Sequence, residues 1–102
     1  MVEKLTFAHF IDRVGESFRI VLDETHTVDT VLSKVVDLTT RPSYVERAGF
    51  RAPFSLTFRG PGEFVLPQRI YHLEHEEMGA LTIFLVPIGP DGEGMQYEAI
   101  FA

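Results

Sequence analysis

Ala52-Pro53-Phe54-Ser55-Leu56-Thr57-Phe58-Arg59 is the stretch that decides the fold. Phe54, Leu56 and Phe58 alternate with Ser55, Thr57 and Arg59, so one face of the segment is apolar and the other polar. This period of two belongs to a strand with one side on a core and the other toward water. Downstream, Gly60-Pro61-Gly62-Glu63 has the composition of a turn, and Pro67 ends the short apolar patch Phe64-Val65-Leu66. Arg69 to His75 then alternates again, with Tyr71, Leu73 and His75 on one face and Ile70, His72 and Glu74 on the other. Glu76-Glu77-Met78-Gly79 reads as a hairpin loop in which Gly79 supplies the positive φ. The run from Ala80 to Val86 is apolar on both faces and predicts a central strand, with Phe84 in the core and Pro87 as its exit. Gly89 to Gly94 forms another turn, and Met95 to Phe101 a last strand.

Upstream, Thr6 precedes Phe7, Phe10, Ile11 and Val14, spaced to form one stripe on a short helix that Gly15 stops. Phe18 to Leu22 is rich in β-formers and ends at the polar turn Asp23-Glu24-Thr25. From Thr27 to Leu38 the chain alternates, with Val28, Leu32 and Val36 among Asp29, Ser33 and Asp37. Val31 and Val35 would also suit a helix, and the abundance of Val and Thr decides for strand. Residues 39–51 contain Pro42 and Gly49 and show no period, so they form the longest irregular connection, a place where function often resides. The fold class expected is α+β, mainly antiparallel β: a small curled sheet or barrel-like sandwich of about six strands with a short N-terminal helix. The turns are too short for parallel crossovers, and 102 residues make a single β-rich domain spanning 1–102.

Composition narrows the function. Hydrophobic residues are 45% and charged residues 24%, ordinary globular values that exclude disorder. No cysteine is present, which excludes disulfides, thiolate nucleophiles and zinc–thiolate or iron–sulfur sites. No apolar run reaches the roughly 20 residues of a membrane-spanning helix. Met1-Val2-Glu3-Lys4 leads into a mixed stretch rather than a signal peptide, so a cytoplasmic protein without membrane partners is expected.

The net charge of −6 disfavours nucleic-acid binding, and its distribution is uneven. Residues 1–40 are net −3 and residues 74–102 carry six acids with no Lys or Arg, whereas residues 41–73 are net +3. The five central cations, Arg41, Arg47, Arg51, Arg59 and Arg69, are all arginine, whose planar fork suits interfaces. With Phe50, Tyr44 and Phe64 as the aromatics expected at the surface, Arg47, Phe50, Arg51 and Arg59 are the candidate protein-binding residues.

Catalytic motifs are sparse. His72-Leu73-Glu74-His75-Glu76-Glu77 is the densest polar cluster, and imidazole with carboxylate can ligate a metal. On a strand His72 and Glu74 point together while His75 points away, so a third ligand would have to come from His9, His26 or a distant acid. The serines Ser17, Ser33 and Ser55 lack the context of a nucleophile elbow, and Gly60-Pro61-Gly62 opens no helix that could cradle a phosphate. No cofactor is expected.

A resemblance covers nearly the whole chain, most weakly at 25–50. Leu5-Thr6-Phe7, Val14-Gly15-Glu16-Ser17-Phe18, Arg51 to Pro61, Leu66-Pro67-Gln68, Tyr71 to His75, Phe84 to Pro90 and Tyr97 to Phe101 resemble a family of short bacterial proteins catalogued as a domain of unknown function. The resemblance implies a stand-alone bacterial protein, associated with genes for phage-tail-like fibre or collar proteins, and it brings no catalytic residues. The expected function is therefore a non-enzymatic protein-interaction or assembly module, accessory to such an assembly or another bacterial surface or secreted one. Its partner would be another protein, with self-association through the basic middle and acidic end as a further possibility. The alternative is a small metal- or ligand-binding enzyme using His72, Glu74 and His75.

Overall fold

The computed structural model describes residues 5–40 and 52–101. Among these residues are six antiparallel strands: β1 (Ser17–Val21), β2 (Thr27–Asp37), β3 (Phe54–Gly60), β4 (Arg69–His75), β5 (Gly79–Pro90) and β6 (Met95–Phe101). Their order, β1-β2-β3-β6-β5-β4, returns to β1 and closes a barrel. A helical turn, α1 (Phe7–Phe10), runs into a 3-10 turn at Ile11–Arg13, and a second 3-10 turn follows β2 at Leu38–Thr40. The α+β, mainly antiparallel architecture read from the sequence is the one observed.

Alternation builds the barrel wall. Phe18 and Ile20 of β1, Val28 and Leu32 of β2, Phe54, Leu56 and Phe58 of β3, Tyr71 and Leu73 of β4, Leu81, Ile83 and Leu85 of β5, and Tyr97 and Ala99 of β6 are buried in one cluster. Each inward residue has a polar or exposed neighbour on β4 and on the first half of β5. Strand β3 is buried on both faces. Its outward Ser55 and Thr57 are short and lie between longer cross-strand neighbours, Val36 and Ile100 for Ser55, Lys34 and Glu98 for Thr57. The inward Thr30 hydroxyl donates to the Phe18 carbonyl at 2.7 Å, so its burial leaves no unmet polar group.

The structure corrects several expectations. The helix buries only Phe10, while Ile11 and Val14 are exposed, because α1 ends after four residues and the stripe never forms. Gly15 does turn the chain at φ 94°. In β2 the register shifts between Leu32 and Lys34, so Val35 rather than Val36 joins the core side, opposite Leu56. Strand β5 runs on past Pro87 to Pro90, through a second irregularity between Pro87 and Gly89. Phe84 is 48% exposed, not core. A barrel is one sheet closed on itself, so an apolar outer face has no second layer to cover it.

The barrel has two ends. At one, which we call the helix end, lie α1, the start of β1, the β4–β5 hairpin and Phe101. The far end carries the β1–β2 hairpin, residues 61–68 and the β5–β6 turn. No helix among the described residues is long and apolar enough to cross a membrane.

Candidate functional site

Strand alternation separates the polar cluster of β4 as the sequence suggested. His72 and Glu74 face outward, and His75 faces the interior. The His72 ring nitrogen Nδ1 lies 3.4 Å from the Thr82 hydroxyl across the β4–β5 pair. His75 is nearly buried, and its ring packs against Phe18 with centroids 4.5 Å apart.

The His75 hydrogen bonds fix its role. Its Nδ1 accepts the backbone N–H groups of Glu77 at 3.0 Å and Met78 at 3.1 Å. An amide N–H can only donate, so the proton sits on Nε2, which donates to Glu16 Oε1 at 2.6 Å. Both ring nitrogens are thus occupied by the fold, leaving neither to serve a substrate or a metal. The bond from His75, seconded by Arg13, holds the Glu16 carboxyl below its ordinary range. Arg13 reaches Glu16 at 3.2 Å and Glu77 at 3.5 Å, so β1, the helix and the β4–β5 hairpin are pinned at one point. The sequence reading did not find Arg13 and Glu16, because the groups they join, His75 and Glu77, lie some sixty positions away from this pair and nothing local announces them.

Among the described residues no three His, Asp or Glu side chains form a set able to hold a metal ion. Of the arginines in the middle of the chain, Arg41, Arg47 and Arg51 lie outside the described residues, as do Tyr44 and Phe50. Arg59 is engaged within the chain, with Asp91 at 2.6 Å and Glu93 at 3.3 Å across the β5–β6 turn. Asp91 also accepts the Glu93 and Gly94 amides, which with Arg59 lower its pKa. Arg69 lies over the Tyr71 ring, 5.6 Å from its centroid.

Two surfaces stand out instead. The first is an apolar row on the outside of the barrel. Val36 pairs with Ser55, Ser55 with Ile100, and Phe84 with Ile70, with Phe84 and Ile100 each two residues beyond the Val86–Glu98 pair. Ile70 is 63%, Phe84 48% and Ile100 60% exposed. Charged and polar residues border the row, Lys34 and Glu98 toward the far end, His72 and Thr82 toward the helix end. The sequence marked Phe84 as apolar but gave no sign that its outer neighbours on two other strands would line up with it.

The second is a groove of about 920 Å³ at the helix end. Leu5, Ala8, Met78 and Leu81 give it an apolar lining, and Asp12, Glu16 and Glu77 an acidic rim. A shallower cleft of about 790 Å³ shares Glu16, Glu77 and Ala80 with it and continues past Glu74 and Glu76.

The chain belongs to a family described as a domain of unknown function (DUF6916), which matches residues 5–101. No curated protein and no solved structure matches it.

Proposed function

We propose that this protein is a non-enzymatic interaction or assembly module that contacts another protein through the outer face of β4, β5 and β6. The observation that carries the reading is the row Ile70, Phe84 and Ile100, three large apolar side chains exposed on adjacent strands. Exposed apolar residues are common singly. A row of them bordered by polar residues is the composition of an interface, where burial on docking contributes roughly 25 cal/mol for each Å² removed from water. The engagement of both His75 nitrogens favours this reading over an enzyme built on His72, Glu74 and His75. The class of assembly, a bacterial phage-tail-like or surface structure to which this chain is an accessory, comes from the sequence resemblance.

Affinity capture from lysate of the organism that encodes the protein tests the reading, with bound proteins quantified by mass spectrometry at low and high salt. A near-stoichiometric partner retained in high salt, and lost from Ile70→Glu and Ile100→Glu variants of unchanged melting temperature, is expected. Empty lanes at both salts would overturn it. A partner released by salt would move the contact to Arg47, Phe50, Arg51 and their neighbours.

A further inference from the structure

We propose that the β4–β5 turn is an acid-released latch: a proton taken by His75 frees residues 76–78 from the barrel while the ring stays tied to β1. The inference goes beyond the interaction reading and does not depend on it.

The other turns of the chain show what is unusual here. In the β1–β2 turn Asp23 accepts the Thr25 and His26 amides, both at 2.9 Å. After β2, Asp37 accepts the Thr39 amide at 2.9 Å. In the β5–β6 turn Asp91 accepts the Glu93 and Gly94 amides at 2.9 and 3.1 Å. An acceptor at the first position of a turn, holding the amides two and three residues on, is the ordinary use of Asp or Asn. In the β4–β5 turn His75 takes that place, its Nδ1 accepting the Glu77 and Met78 amides at 3.0 and 3.1 Å. Histidine can do so only while Nδ1 keeps its lone pair.

The two kinds of acceptor part company in acid. Hydrogen bonds, led by the Thr25 amide at Asp23, the Thr39 hydroxyl at Asp37 and the Glu93 amide at Asp91, hold each carboxyl below its ordinary range. Those turns therefore keep their acceptors well into acid. Histidine is the side chain whose charge ordinarily changes between about pH 5 and 8. A proton on Nδ1 of His75 converts the acceptor into a donor and sets it against two N–H groups, so both bonds are lost together.

The opposite side of the ring holds. Nε2 donates to Glu16 Oε1 at 2.6 Å, and the same bond becomes charge-assisted in the cation. With the ring nearly buried against Phe18 and anchored at Glu16, the turn is the part that yields. Among the described residues, the charged groups around the ring are Glu16 of β1, Arg13 of the 3-10 turn and Glu77 of the β4–β5 turn. The adjoining cleft adds Glu74, Glu76 and the Arg19–Asp29 ion pair. Carboxylates outnumber arginines in this set, so a positive ring is compensated where it forms. Release parts Glu77 from Arg13 and takes Met78 from its packing on the core, and both leave the lining of the groove at the helix end.

NMR on the full chain tests the latch, following the His75 ring nitrogens and the amide protection factors together from about pH 8 to 5. Nδ1 is expected to gain the proton, and protection at Glu77 and Met78 to fall about tenfold or more at the same midpoint, the weight of a lost hydrogen bond, with residues 54–58 of β3 unchanged. In His75→Asn the side-chain oxygen keeps the acceptor and takes no proton, so the same amides should hold their protection throughout. His9, His26 and His72 remain in that variant, and a fall at Glu77 and Met78 that survived there would overturn the latch. Protection kept at both amides while the His75 ring takes its proton would overturn it as well, and so would a ring still neutral when β3 unfolds. If His75→Asn does not fold, the wild-type titration decides alone.

Discussion

The two ends of the barrel exclude water by different physics. At the helix end the closure is apolar: Phe10, fully buried, sits among Phe18, Phe54 and Phe101 with ring centroids 6.3, 5.9 and 6.2 Å away. Phe54 and Phe101 stack at 4.6 Å beneath it. At the far end closure depends on hydroxyls. Tyr97 Oη accepts the Leu66 N–H at 2.9 Å, Tyr71 Oη donates to the Pro67 carbonyl at 2.5 Å, and the loop so held lays Leu66 into the core. A helix can bring a large side chain inward while bonding its own backbone, whereas an irregular loop must find partners for its N–H and C=O groups elsewhere. One end therefore depends on volume and the other on hydrogen bonding.

The contrast can be tested by removing one determinant from each end. Phe10→Ala takes the plug from the helix end and should cost about 3–5 kcal/mol, the usual penalty for a buried Phe. In a domain whose whole stability is about 5–15 kcal/mol, urea unfolding should show a large fall in midpoint. A loss below about 1 kcal/mol would mean that the helix decorates the barrel rather than closing it. Tyr97→Phe changes one oxygen at the far end and leaves the buried Leu66 N–H without an acceptor, for which about 1–3 kcal/mol is expected from the same measurement. If its hydrogen exchange loosened the helix end as much as the 61–68 loop, the two ends would not be separable.

The smallest effect concerns acid. In the far-end β1–β2 turn, Asp23 accepts the Thr25 amide first, then the His26 side chain, and its pKa falls from 3.8 to about 2. A carboxylate depressed on folding contributes stability that is full above its unfolded pKa and is lost as pH falls through the folded one. Asp23 should therefore stabilise the protein fully above about pH 4 and lose that contribution toward pH 2. Denaturation midpoints of wild type and Asp23→Asn should converge across this window. A difference that persisted undiminished at pH 2 would assign the effect to the turn's shape rather than its charge.

Where one strand keeps one phase, the sequence showed the fold. The alternation at Arg69 to His75 appears in the structure residue for residue, and at Phe54 to Arg59 the inward residues are the expected ones while the outward Ser55 and Thr57, expected to be wet, are buried as well. Where a bulge changes phase, it did not. Val28, Leu32 and Val35 all lie on the core side of β2, and the step of three that the shift at Ser33 puts after the regular step of four gives the spacing of a helix. That is why the segment could be read either way. The site was less legible, because its parts meet only in three dimensions. Glu16 finds His75 through barrel closure, and Ile70, Phe84 and Ile100 line up only because the β4–β5 and β5–β6 registers happen to align them. Arg59 read as a free interface cation because nothing local shows that the β5–β6 turn folds back to meet it.

Barrel closure also sets an order in time. The ladder that completes the ring, Arg19–Glu74, Ile20–Leu73 and Val21–His72, joins strands about fifty residues apart, while the β1–β2, β4–β5 and β5–β6 hairpins are local. Hairpins form in about 1–10 μs, but such distant pairing slows a small β protein to roughly milliseconds to seconds. On the ribosome, at roughly 5–20 residues per second, β1 must wait roughly 3–10 s before β4 has been made. Through that interval the β1–β2 hairpin has one edge bare. The Arg19–Asp29 ion pair across it, at 3.0 Å, puts charge on the waiting strand and discourages it from pairing with a neighbouring nascent chain.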